Sequence, residues 1–293
     1  MSDDDLQSRR EKALADDKCF TKGRLRDEYR MKPAPGTEPV KWYKSTYGGK
    51  YGVYRIADCV PMRPKQEPSD KQKKAAAQLA IRSQLNSLQG RASLRADSWL
   101  RHDPLFLDTE TTGLGDTDQA LEIGLTDAGG SLVFETRLNP TVAIAPQAAA
   151  VHGIEASALA DAPSWPDVAQ QLQQCIGQRP LVIFNAAFDT RILRQTAAAH
   201  GDPAHWLNAV TVHCAMQLAA NFYGATNRYG TISLASAAAQ AELAWEGTAH
   251  SAVADAVMTA GVVKVIAGYS RKLQRELTSR DDTVTEKRLK NRC

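Results

Sequence analysis

Two short apolar runs constrain the fold of this chain more than any other feature. Pro104–Asp108 reads PLFLD and Leu181–Asn185 reads LVIFN, each nearly continuous and each ending on a polar residue. Runs this short and this apolar suit strands covered on both faces, which calls for helices above and below a sheet. Helical patterns do follow. Residues 161–177, DAPSWPDVAQQLQQCIG, carry Pro166 near the first turn and Gly177 at the end, and residues 186–201 run to a closing Gly201. QALEIGLTDAGGSLVFETRLNP, residues 119–140, reads as two strands around Gly129–Gly130, and residues 204–215 hold a fifth strand. Further helices are expected through 214–222, 231–242 and 251–268. Three hairpin-joined strands followed by helix-separated ones imply an α/β fold: a mixed sheet with helices on both sides.

Upstream of residue 102 the texture is different. Residues 1–35 are highly charged with few apolar anchors, and PAPGTEP at 33–39 is a breaker-rich linker. Residues 41–60 alternate around Gly48–Gly49 as a β-hairpin, and 61–70 form a second Pro-rich connection. A helical stripe of Ala77, Ile81, Leu85 and Leu88 spans 71–88, with Gly90 expected to end it. The expected organisation is a basic amino-terminal arm (1–70), a helical linker (71–101), a folded domain (102–268) and a charged tail (269–293). Charge divides along the same lines. Residues 1–101 hold 22 basic and 13 acidic residues, residues 102–268 hold 6 and 16, and residues 269–293 hold 8 and 4. An acidic centre with basic flanks fits metal ligands beside phosphate contacts; two solvated arms fit it as well. The apolar stretches are short and broken by Pro, and the acidic start has no apolar leader, so no membrane partner and a cytoplasmic protein are expected. Five scattered cysteines without CxxC spacing define neither a disulfide framework nor a zinc site.

Three motifs carry candidate chemistry. Asp108-Thr109-Glu110-Thr111-Thr112-Gly113 closes the first apolar run. Alternate residues of a strand share a face, so Asp108 and Glu110 project together, and a hard divalent ion would relieve their repulsion. A polar strand end before a Gly turn reads equally well from this hexapeptide. Asn185-Ala186-Ala187-Phe188-Asp189 sets a carboxylate at a helix N-terminus, whose dipole favours anions; an ordinary N-cap explains it too. In His250-Ser251-Ala252-Val253-Ala254-Asp255, five residues turn a regular helix by about 500°. His250 and Asp255 therefore reach one cleft only if the histidine precedes the helix. Histidine is suited to accept a proton near neutral pH, whereas a capped helix start is the plainer reading.

Four carboxylates and one histidine in this order resemble the DEDDh family of 3′→5′ exonucleases, the DnaQ-like group that includes polymerase proofreading subunits and ribonuclease T. The resemblance spans residues 102–268 and includes Leu121-Glu122-Ile123-Gly124, Val151-His152-Gly153-Ile154 and Tyr229-Gly230-Thr231-Ile232-Ser233-Leu234. One departure is Phe184, where many relatives carry His. The resemblance implies a ribonuclease H-like mixed five-stranded sheet. It also implies two Mg²⁺ or Mn²⁺ ions about 4 Å apart held by Asp108, Glu110, Asp189 and Asp255, with His250 as general base. Thr111, Thr112, Gly113, Leu114, Asn185 and Phe188 would bind the terminal nucleotide. Leu114 reads either as a wedge at the last base or as simple packing under the hairpin. The expected substrate is single-stranded DNA or frayed ends, with RNA as the alternative, nucleoside 5′-monophosphates as products and a DNA polymerase or repair protein as partner. A non-catalytic binding module is the remaining reading. Cys214 reads as a buried strand-end cysteine, and His152 and His213 as satisfied structural histidines.

The arm resembles no family. Trp42, Tyr43, Tyr47, Tyr51 and Tyr54 are interleaved there with Lys41, Lys44, Lys50 and Arg55. Such rings either form the core of a small hairpin subdomain or stack bases while the cations, Lys44, Lys50 and Arg55 among them, neutralise phosphates.

Overall fold

A five-stranded sheet and a smaller, separate strand assembly organise the computed structural model, which describes residues 3–46, 48–63, 67–245 and 250–290. The chain divides into two units, residues 1–69 and 70–293. The first begins with α1 (Asp3–Ala15), β1 (Cys19–Thr21), α2 (Lys22–Tyr29) and β2 (Met31–Pro33). It continues with β3 (Lys41–Lys44), β4 (Lys50–Arg55) and β5 (Cys59–Pro61). The expected hairpin is present: β3 and β4 pair antiparallel, and Gly48 and Gly49 turn the chain at φ of 88° and 86°. Both torsions lie where only glycine rests without strain. β1 adds to the other edge of β4, while β2 and β5 form a second antiparallel pair.

The core of this unit corrects one expectation. It consists of Ala13, Phe20, Leu25, Met31, Tyr54, Ile56 and Cys59, so of the hairpin rings only Tyr54 joins it. Trp42, Tyr43 and Tyr51 are exposed. Ala13 and Leu25 of the two helices, with Phe20, Met31, Ile56 and Cys59 from the strands and the turn after β4, supply the side chains that the hairpin reading assigned to the rings. Tyr47 lies outside the described residues.

The second unit opens with α3 (Asp70–Asn86) and α4 (Leu88–Arg101). The residues expected to form a linker thus pack as part of this unit. Gly90 does not end a helix. It lies in the first turn of α4, where the Ser87 hydroxyl accepts its N–H at 3.0 Å, and a Cβ there would sit 2.1 Å from the Gln84 carbonyl oxygen. Glycine is needed for the sharp passage between the two helices.

Then come β6 (Leu105–Thr111), β7 (Ala120–Asp127), β8 (Leu132–Arg137), α5 (Pro146–His152) and α6 (Trp165–Ile176). β9 (Leu181–Ile183), α7 (Ala186–Ala199), β10 (Val212–Cys214), α8 (Ala215–Tyr223), α9 (Leu234–Gln240) and α10 (Ala252–Lys290) complete it. The sheet order is β10-β9-β6-β7-β8. β6 to β8 form an antiparallel meander, and β9 and β10 are parallel to β6, which gives the mixed sheet expected. α6 begins in a capping box between Ser164 and Asp167 with proline in its first turn, and Gly177 closes it.

Alternation along β6 divides the core. Phe106 joins the cluster formed with α4, α8, α9 and α10, whereas Leu105 and Leu107 join the cluster with α6 and α7. α10 runs on from the core through the residues expected as a separate tail. Its Ala252–Ser279 segment is long and apolar enough to match a membrane span, and half of it is buried inside the protein. Burial against β6, β7 and α4 accounts for that apolar character. One histidine and one cysteine fall as ordinary packing partners: His213 stacks on Trp99 at 4.5 Å, and half-buried Cys214 points its thiol at the Phe184 carbonyl, 3.4 Å away.

Buried polar groups fix α4 against α10. The Ser93 hydroxyl donates to the Ile266 carbonyl and accepts the Ser270 N–H, and buried Asp97 accepts from both Arg101 and Arg271. These guanidinium groups hold the Asp97 carboxyl below its ordinary range despite the opposing effect of burial. Asp97→Ala is expected to cost about 1.5–3 kcal/mol of stability, seen as a lowered thermal midpoint, because both charge-assisted bonds are lost.

Candidate active site

At the C-terminal end of β6, strand alternation sets Asp108 and Glu110 on the α10 face and Thr109 on the α7 face. Asp255, in the first turn of α10, completes a group with them: a carboxylate oxygen from each lies within 4.8 Å of the others. Asp189 comes from the opposite face, in the first turn of α7, and accepts the Thr109 hydroxyl at 2.8 Å. Parallel pairing of β6 with β9 brings the start of α7 to the same end of the sheet as Glu110.

Electrostatics identify what such a group needs. Burial, and then the charges of Asp189, Asp255, Glu110 and Glu122, push the Asp108 carboxyl well above the ordinary range. Burial, followed by Asp255, Glu122 and Asp189, raises Glu110 to about 8. Asp189 is raised to about 7, mainly by burial, against the opposing hydrogen bond from Thr109. Asp255 is raised by burial. Four carboxyls held in one buried site resist joint ionisation unless positive charge joins them. All donors are carboxylate oxygens, the set suited to a hard divalent ion such as Mg²⁺ or Mn²⁺.

Two β7 residues position the start of α10. Glu122 lies directly across from Glu110, and Gly124 directly across from Asp108. Buried Glu122 accepts the Ala252 N–H at 3.0 Å with one oxygen and the Arg137 Nε–H at 3.1 Å with the other. At Gly124 an added Cβ would come within 2.5 Å of the Ala252 carbonyl carbon and the Val253 nitrogen. The bare Gly124 backbone lets the helix end approach, and Glu122 grips one of its unpaired N–H groups. Asp255 is thereby held three residues into the helix.

His250 precedes α10 by two residues, the placement that its pairing with Asp255 required. Its φ of 65° is a strained left-handed torsion for a side-chain-bearing residue, and its N–H donates to Asp255 Oδ1 at 3.4 Å. The imidazole is exposed.

Beside the carboxylates opens an apolar cleft of about 480 Å³. Thr111, Gly113, Leu114 and Phe188 line one side of it, and Gln147, Val151 and His152 of α5 the other. Leu114 is 78% exposed, which removes the packing role for it and leaves an apolar tip at the cleft mouth. Arg191 and Gln195 of α7 hold the intervening loop by donating to the Leu114, Gly115 and Asp118 carbonyls. Thr112 does not line the cleft: it is fully buried, and its hydroxyl donates to Asp118 at 2.6 Å. Asn185 stands at the N-cap of α7, also away from the cleft lining, without a side-chain capping bond. His152 is doubly engaged. Its Nδ1 accepts the Ile154 N–H at 2.9 Å, so its Nε2–H donates to the Thr111 carbonyl at 3.2 Å.

The family model for exonucleases of the RNase T type matches residues 105–263, from β6 into α10. The chain belongs to this exonuclease family. An uncharacterized exonuclease, CP81, of Escherichia phage 186 is 38% identical over 182 residues, covering 60% of this chain and 93% of the relative. DNA polymerase III subunit epsilon of Escherichia coli K12 is 35% identical over 95 residues, 29% of this chain and 39% of that subunit. Among solved structures, exonuclease X in complex with 5′ overhanging duplex DNA is 26% identical with a TM-score of 0.45, covering 57% of this chain and 92% of that one. The protein is thus an exonuclease acting on nucleic acid.

Glu122 and Gly124 of this exonuclease carry their role through the backbone of α10; in the sequence they stand out only as part of the Leu121–Gly124 segment of the family resemblance. Glu122→Ala is expected to weaken Mn²⁺ binding by about 10-fold or more, measured by calorimetry, through loss of the contact that orients Asp255. Glu122→Gln keeps an acceptor for Ala252 and should retain most of that affinity; equal loss in both variants would contradict the assigned role.

Proposed function

We propose that the protein hydrolyses single-stranded DNA or frayed duplex ends in the 3′→5′ direction, releasing nucleoside 5′-monophosphates. The single observation that carries the reading is the junction of the Asp108–Glu110–Asp255 group with an apolar, nucleotide-sized cleft. A terminal base fits the apolar walls, with Leu114 and Phe188 against its faces, while its phosphate meets the carboxylates. Asp108, Glu110, Asp189 and Asp255 would hold divalent metal, two ions by the family pattern. When bound, the metal supplies positive charge that neutralises the carboxylates, acidifies water and stabilises charge on the scissile phosphate.

The protein's own groups do the rest. Thr111 and Gly113 fix the turn that receives the 3′ end, with the Thr111 hydroxyl bonded to the Gly113 carbonyl at 2.8 Å. His250, exposed at the rim beside Asp255, takes the proton from the attacking water. Its strained backbone holds it out of the helix and free to do so. The likeness to DNA polymerase III subunit epsilon supports DNA as the substrate and a polymerase as the partner presenting frayed ends. A complete set of carboxylates weighs against a binding module.

Digestion of 5′-labelled DNA and matching RNA with Mg²⁺ or Mn²⁺ tests this. A one-nucleotide ladder receding from the 3′ end, abolished by EDTA and slowed about 10²–10⁴-fold by His250→Ala, is expected. Cleavage from the 5′ end, or turnover indifferent to EDTA, would overturn the proposal. Metal binding has its own readout in thermal melting. Mn²⁺ at about a hundred times its Kd should stabilise the fold by about 2.7 kcal/mol. Asp108→Asn should raise the metal-free midpoint, by removing a repelling carboxylate, and abolish the metal-dependent increment.

A further inference from the structure

The family match begins at residue 105, so the first unit lies wholly outside it. The strand register of that unit separates two sheet faces. Phe20 pairs with Tyr54, and both side chains enter the core. The neighbouring positions face the other way: Tyr43 pairs with Tyr51, Lys41 with Val53, and Cys19 with Arg55. On this outward face the rings of Tyr43 and Tyr51 stack at 5.7 Å with 20° between their planes, and both are exposed. The Lys41 ammonium stands 5.2 Å from the centre of the Tyr43 ring.

Charge and shape together choose the occupant. Residues 41–55 contain Lys41, Lys44, Lys50 and Arg55 and no acidic residue. Lys44 and Lys50 face each other at the hairpin end, both exposed, on the face that carries Trp42 rather than the tyrosine stack. Among the described residues, Trp42, Tyr43 and Tyr51 are three of the four exposed Trp and Tyr side chains, Tyr229 being the other. A docking face for a protein partner also gathers Tyr and Trp but is depleted in Lys. Exposed flat rings beside Lys41, on a hairpin without acidic residues, match instead a polyanion that itself carries flat apolar faces.

We infer that the outward face of the β3–β4 hairpin is a single-stranded nucleic-acid platform, with Tyr43 and Tyr51 stacking bases and Lys41 neutralising phosphate. The inference deepens the exonuclease reading and rests on it for the identity of the strand. It assigns substrate grip to the first unit and hydrolysis to the second. Trp42, whose alternation sets it on the other side of the sheet beside Gly52 and Pro39, is not part of the stack.

The test measures binding of fluorescein-labelled dT20 to the full chain in EDTA, where no turnover occurs, as a function of salt. Tyr43→Ala with Tyr51→Ala is expected to weaken binding by about 10-fold or more, and the corresponding Phe pair to stay within about 2-fold of the unsubstituted chain. Lys41→Gln, which leaves the rings in place, is expected to lower the slope of log Kd against log salt by about one. An alanine pair with unaltered melting and unaltered affinity overturns the platform. Should the alanine pair fold poorly, an unchanged salt slope in Lys41→Gln, or an equal drop in Lys44→Gln on the opposite face, overturns it equally. Turnover is read separately. A chain that cuts DNA but binds regardless of these residues removes the platform alone, and one that binds through them without cutting removes the exonuclease reading alone.

Discussion

The close approach of the α10 N-terminus to β7 is the contact on which the candidate site depends. β6 can present Asp108 and Glu110 by alternation alone, but Asp255 arrives on a helix more than a hundred residues later in the chain. Gly124 removes the side chain that would hold the helix away, and Glu122 binds the first free N–H of the helix. Arg137 then offsets the charge that Glu122 adds to an already acidic region. Three β7–β8 residues thus set the geometry of a carboxylate group that none of them belongs to.

That geometry has an electrostatic cost that the fold does not relieve by itself. Burial raises Asp108, Glu110, Asp189 and Asp255 together, and repulsion from neighbouring carboxylates adds to it at Asp108, Glu110 and Asp189. The compensating interactions are local and partial: Thr109 donates to Asp189, and the His250 N–H to Asp255. Asp97 offers the contrast within the same unit, a buried carboxylate satisfied by two arginines and held below its ordinary range. A carboxylate with a structural role is neutralised by the protein. Those at the end of β6 are arranged for a cation from outside it.

Much of this was legible in the sequence because the signals were local. The apolar runs at 104–108 and 181–185 gave β6 and β9, and the pairing of Asp108 with Glu110 followed from a period of two. His250 and Asp255 were separable by the turn of a helix. What sequence alone concealed depends on contacts across the chain. Glu122 stood out only within the Leu121–Gly124 landmark, because its partner, Ala252, is 130 residues away. Gly90 read as a helix end, although the approach of the Gln84 carbonyl, not helix termination, requires it. The residues at 71–101 read as a linker because the partners of Ser93 and Asp97, namely Ile266, Ser270 and Arg271, lie more than 170 residues further along the chain. The hairpin rings read as a core because the contributions of Leu25, Met31 and Ile56 could not be seen.

The central claim is that the carboxylates gathered by β6 and α10 form a metal centre at the mouth of a nucleotide cleft. Anomalous diffraction at the manganese edge, from crystals soaked with Mn²⁺ and a nucleoside 5′-monophosphate, tests it directly. An anomalous peak is expected among Asp108, Glu110 and Asp255, with the phosphate beside it and the base between Leu114 and α5. Nucleotide bound in the cleft without manganese at these carboxylates, or manganese bound only elsewhere, would contradict it.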